Sequence, residues 1–123
     1  DQSFVATVNL SLPNNPNAPF YLKGAFIKSG GSNYFGLTKV SGNWVKNNAT
    51  YSQQYALTTD ASGNWSGNIE VKTDVDDSGY SGSGDYAFKV GRYTATGSGP
   101  TWSNEANISI TNKFTKISQS IFS

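Results

Sequence analysis

The sequence predicts an all-β fold: a two-sheet antiparallel sandwich of about seven to eight strands with a short C-terminal tail. Three observations lead there. Short runs of period two, apolar on one parity and polar on the other, recur along the chain. Clusters of Gly, Pro, Asn, Asp and Ser punctuate them at turn spacing. No segment carries a convincing core-helix pattern. A jelly roll or small barrel is the alternative architecture.

Residues 2–12 are the cleanest run. Phe4, Ala6, Val8, Leu10 and Leu12 share one parity, and Val5, Thr7, Asn9 and Ser11 the other, which describes a half-buried strand. Pro13-Asn14-Asn15-Pro16-Asn17 ends it, because proline denies the ladder a donor and biases its predecessor. Residues 20–28, FYLKGAFIK, are partly apolar on both parities, which places this strand centrally in a sheet. Gly30-Gly31-Ser32 turns the chain into a third strand over 34–40. Ser41-Gly42-Asn43 then leads to a short strand over 44–46, closed by Asn47-Asn48. Residues 51–58 form a weaker strand. Asp60-Ala61-Ser62-Gly63 is a turn whose short acid bonds its own backbone. In 64–73, Trp65, Gly67, Ile69 and Val71 oppose Ser66, Asn68, Glu70 and Lys72. A polar loop over 74–84 precedes the final hairpin.

That hairpin occupies 85–112. A run rich in β-branched and aromatic residues, 86–96, meets the turn Gly97-Ser98-Gly99-Pro100. The second run puts Trp102, Ala106, Ile108 and Ile110 on one parity. Asn104 breaks the pattern, so the strand bends there or begins after it. Trp65 and Trp102 sit on apolar parities and are assigned to the core. Tyr86-x-Phe88-x-Val90-x-Arg92-Tyr93, a turn, then Trp102-Ser103-Asn104 resembles the last two strands of a fibronectin type III or related immunoglobulin-like domain. The stretch TTDASGNWSG, residues 58–67, resembles a strand-turn-strand of bacterial immunoglobulin-like repeats, in a single copy. The resemblance implies an immunoglobulin-like sandwich over 1–112; it names no function.

Composition bounds the chemistry. The chain has 123 residues, enough for one domain with a single core. Charged residues make up 14% and the net charge is +1, so there is no electrostatic case for nucleic acid or an anionic membrane. Cys and His are absent, which removes disulfides, Ser-His-Asp and Cys-His catalysis, and zinc sites built on those ligands. No apolar run approaches the ~20 residues of a membrane span. The polar-uncharged and aromatic bias is common in secreted β domains. A start at Asp1 with no visible tag fits a processed, exported chain as well as a trimmed fragment. A secreted or cell-surface location is therefore expected.

Four constellations could carry chemistry. The stretch 74–85 fits half of a calcium loop, with oxygens from Asp74, Asp76 and Ser78, the Tyr80 carbonyl, and Asp85 at the twelfth position, so Ca²⁺ is the candidate cofactor. It departs from the pattern in having Asp rather than Glu at the end and no flanking helices, and a solvated acidic turn is the plainer reading. Among the aromatics, Tyr34, Trp44 and Tyr51 are candidate platforms for a polysaccharide, with Trp44 beside a turn the best placed. The acids number 8, and none stands out as a glycosidase pair. Asn-x-Ser/Thr sequons at Asn9, Asn48, Asn64 and Asn107 are candidate glycosylation sites.

The termini are a further constellation. Residues 1–12 could complete their own sandwich or be exchanged into a neighbour's, presenting Phe4, Ala6, Val8, Leu10 and Leu12. The tail, 113–123, carries Phe114, Ile117, Ile121 and Phe122, apolar residues that need a cover. Its spacing suits a short helix or a strand. The leading expectation is a non-catalytic extracellular structural subunit that joins copies of itself into a filament by strand addition. The alternative is an accessory ligand- or carbohydrate-binding module, stabilised by calcium, within a larger secreted protein.

Overall fold

The structure is a computed structural model that describes residues 3–103, 106–110 and 120–122, the last two segments by their backbone. Its strands are β1 (Ser3–Ser11), β2 (Pro19–Lys28), β3 (Leu37–Val40), β4 (Asn43–Lys46), β5 (Tyr55–Thr58), β6 (Asn64–Lys72), β7 (Gly84–Thr94), β8 (Thr101–Trp102), β9 (Ala106–Ile110) and β10 (Ser120–Phe122). They form two facing sheets. One runs β10-β1-β6-β3-β4; the other runs β5-β2-β7, with β8 and β9 both against the far side of β7. Pairing is antiparallel except between β1 and β10.

The alternation of β1 is realised. It pairs with β6 without a break from Ser3↔Lys72 to Ser11↔Asn64. Phe4, Ala6, Val8 and Leu10 are buried, and Leu12 packs against the core from just beyond the strand. β2 is central, between β5 and β7, as its two apolar parities require. Phe20, Leu22 and Phe26 meet Ile69, Val71, Phe88 and Val90 in the sandwich interior. Phe26 is the hub, with ring centroids 5.5 Å from Phe4, 5.7 Å from Phe35 and 5.1 Å from Phe88. Edge and tilted contacts of this kind suit the aromatic quadrupole.

Two expected strands are shorter than their patterns. The third begins at Leu37, and Phe35 instead bridges to Phe26 in both directions, at 2.8 and 3.0 Å. The fifth begins at Tyr55, because Tyr51–Gln53 winds one 3₁₀ turn.

The larger difference lies in the final hairpin. Trp102 pairs with Gly91, but Ala106 pairs with Phe88, so the register slips by one residue between β8 and β9. Ser103 sits at the slip. Its N–H donates to the Val90 carbonyl (2.9 Å), and its Oγ accepts the Val90 N–H (2.8 Å). One extra residue is a β-bulge, and a bulge reverses the faces of the strand beyond it. Trp102 therefore leaves the core side. It packs over Gly91, where an added Cβ would lie 3.0 Å from its ring. The assignment of Trp102 to the core is corrected on this ground, whereas Trp65 does pack against the core.

The 60–63 turn behaves as its composition indicates. Asp60 Oδ1 accepts the N–H groups of Ser62 (2.8 Å) and Asn64 (2.9 Å). Asp60→Ala is expected to destabilise the domain by about 1 kcal/mol, read by urea denaturation, while Asp60→Asn keeps most of that stability. Equal losses in the two variants would show that these bonds contribute little.

Candidate functional site

The outer face of the β5-β2-β7-β8 sheet carries a run of aromatic rings around one cation. Outward positions on β2 and β7 alternate with the core residues, which brings Tyr21, Lys23, Lys89 and Tyr93 to this side. The bulge adds Trp102. Tyr34 stacks on Trp102 with centroids 4.4 Å apart and planes 12° from parallel. Lys23 Nζ lies 5.2 Å from the Tyr93 centroid and 5.5 Å from that of Trp102. It also donates to the Asn47 carbonyl at 3.0 Å. Only 5% of Lys23 is exposed, so the ammonium depends on these partners for the solvation it has lost. Tyr51 extends the run, 5.5 Å from Tyr21 and 6.2 Å from Tyr93. Lys89 Nζ donates to the Tyr34 hydroxyl at 3.3 Å. On the inner side, Arg92 lies over Phe20 at 5.4 Å, and burial lowers its pKa from the ordinary guanidinium value.

Of the three aromatic platforms expected from sequence, Tyr34 and Tyr51 stand on this face. Trp44 does not. It is half-buried on β4, in the other sheet, under the ammonium groups of Lys72 (4.6 Å) and Lys39 (5.7 Å). Lys23, Lys89 and Trp102 were missed. Parity alone could have found the two lysines, but Trp102 depends on the bulge.

The acidic loop does not gather its carboxylates: among the described residues no group of three or more acids is placed to hold a metal ion. Asp74 is buried, with Oδ1 accepting the Asp76 N–H at 3.3 Å and Oδ2 lying 3.9 Å from Lys46 Nζ. Asp77 Oδ1 accepts the Gly79 N–H at 2.8 Å. Asp76 and Ser78 are exposed on the loop, Tyr80 stacks on Tyr86, and Asp85 is exposed within β7. Asp74 and Asp77 thus each bond their own turn.

The assembly residues divide. Phe4, Ala6, Val8 and Leu10 are buried in their own sandwich, with Leu12 at its margin. Ile121 and Phe122 belong to β10, whose backbone runs parallel to β1 through Thr7↔Ser120, Val8↔Ile121 and Asn9↔Phe122. Phe114 and Ile117 lie outside the described residues. Among the sequons, Asn48 and Asn64 are exposed, and Asn9 accepts a hydrogen bond from Ser66 at 2.8 Å. Asn107 lies on β9, and its side chain is outside the described residues. No helix among the described residues is long and apolar enough to cross a membrane.

No family model matches the chain, and neither a curated protein nor a solved structure does.

Proposed function

We propose that the protein is a non-catalytic, extracellular structural subunit with an immunoglobulin-like arrangement, joined to copies of itself by strand addition at the edge of β1. The carrying observation is the character of that edge. β1 is nine residues long, pairs without a bulge and contains no charge and no proline. Among the described residues, β10 pairs with its outer side at Thr7 to Asn9. The other margins are blunted. β4 and β5 have four residues each, β4 ends in Lys46, and β8 and β9 are split by the bulge. Long, regular, uncharged edges are those that invite another strand.

The tail, 113–123, is the donor in this reading, because its last strand already pairs with that edge within one chain. The same pairing between copies is head-to-tail and does not close on itself, so it propagates a fibre. The immunoglobulin-like reading is supported by the neighbours. β1–β6, β2–β7 and β7 with β8 and β9 parallel the B–E, C–F and F–G pairs of that fold, and β1-β6-β3 parallels its B-E-D order.

Electron microscopy and light scattering test the proposal. The full chain is expected to form fibres, and a chain lacking residues 113–123 to remain monomeric. Val5→Lys places a charge on β1 opposite Glu70, where the fold tolerates it, and should also suppress fibres. Monomers of the full chain at high concentration, or undiminished fibres in both variants, would refute strand addition at β1.

A further inference from the structure

The chain folds a trough at one end of the sandwich, around the 29–34 loop. Three depressions surround the 29–34 loop, of about 400, 390 and 320 Å³. The first shares Ser32, Asn33 and Ser78 with the second, and Lys28 to Gly31 with the third. Tyr34 borders both the second and the third. The depressions therefore adjoin one another around the loop.

We infer that this trough binds a neutral, hydroxyl-rich saccharide chain, with Tyr34 as the stacking surface. The lining decides the ligand class. Beside Tyr34, the second depression is lined by the amide residues Asn33, Asn47 and Asn48, with Ser78 and Asp77. Such groups both donate and accept, as a row of sugar hydroxyls requires. Asn47 Oδ1 is enclosed and its Nδ2 donates to the Tyr34 carbonyl at 3.4 Å, so Asn47 braces this wall while the exposed Asn33, Asn48 and Ser78 meet the ligand.

Other ligand classes fit less well. An apolar peptide side chain finds a single ring in the second depression and polar groups around it. An anion meets Asp77 there, while Lys28 already donates to the Ser81 carbonyl (2.6 Å) and Lys89 to the Tyr34 hydroxyl. The Tyr34 ring is held before any ligand arrives, by Trp102 behind it and Lys89 at its hydroxyl. A fixed ring loses little conformational freedom on binding, and its apolar face suits the C–H side of a pyranose.

The test is calorimetric titration of the full chain with neutral hexasaccharides of β-1,4-linked glucose, β-1,4-linked mannose and β-1,4-linked N-acetylglucosamine. At least one is expected to bind, with Tyr34→Ala weakening it about tenfold and Asn48→Ala about fivefold. Trp44→Ala, in the other sheet, should bind unchanged. Melting curves check that Tyr34→Ala is folded, and Asn48 is an exposed loop residue whose replacement leaves the fold intact. Silence with all three sugars overturns the inference. So does undiminished binding by Asn48→Ala together with a folded Tyr34→Ala, or loss of binding in Trp44→Ala alone. Among the described residues that line the trough none lies in β1 or β10, so this inference and strand addition are tested separately.

Discussion

Replacing Phe26 by alanine is expected to destabilise the domain by about 3–5 kcal/mol, the range for truncating a buried aromatic. Phe26 is fully buried and joins rings from both sheets: Phe4 on β1, Phe88 on β7, and Phe35 at the bridge. Its removal leaves a void that the surrounding rigid strands cannot close, so the cavity adds to the lost transfer energy. A domain of this size has roughly 5–15 kcal/mol of stability in all. The melting temperature should therefore fall by roughly 10–20 °C. Phe26→Leu keeps much of the volume and should cost markedly less. A drop below about 1 kcal/mol for Phe26→Ala would mean that the two sheets do not meet at this ring.

Gly63→Ala is expected to cost about 2–4 kcal/mol, although it adds only one methyl group. Gly63 has φ +79°, in the left-handed region. An added Cβ would also lie 1.9 Å from the Leu12 carbonyl oxygen and 2.6 Å from its carbon. These are backbone atoms of a segment that cannot swing away. Leu12 donates to the Gly63 carbonyl at 2.9 Å, Asn17 to that of Asp60 at 2.9 Å, and the Thr59 hydroxyl to that of Asn15 at 2.6 Å. The proline loop after β1 and the 60–63 turn are thus tied together. Gly30→Ala is the control, since Gly30 has φ +78° but open space around its Cβ position. It should cost only about 1 kcal/mol, from backbone strain alone. Equal losses for the two variants, by urea denaturation, would show that the contact with Leu12 yields and that strain is the whole effect.

How much could be read in advance differs between the fold and the sites. Where a strand is regular, its faces follow from the side-chain period, which needs only the order of residues. Phe4, Ala6, Val8 and Leu10 therefore lie where their parity put them, and so do Ile69 and Val71. The central place of β2 was likewise legible, because only a covered strand has two apolar faces. The acidic stretch was ambiguous. Spaced acids suit either a cation or their own turns, and here Asp74 and Asp77 bond backbone N–H groups.

The sequence by itself determined the all-β class, the turns, and which face of β1 and β6 is buried, since all of these depend on neighbours along the chain. Tertiary structure alone decided the rest. The one-residue slip at Ser103 turned Trp102 out of the core and onto Tyr34. Lys23 became buried because Asn47, Tyr93 and Trp102 close over it. The trough likewise joins residues near 30, 47 and 78. Registers and loop meetings arise from contacts between segments far apart in the chain, and no local period encodes them.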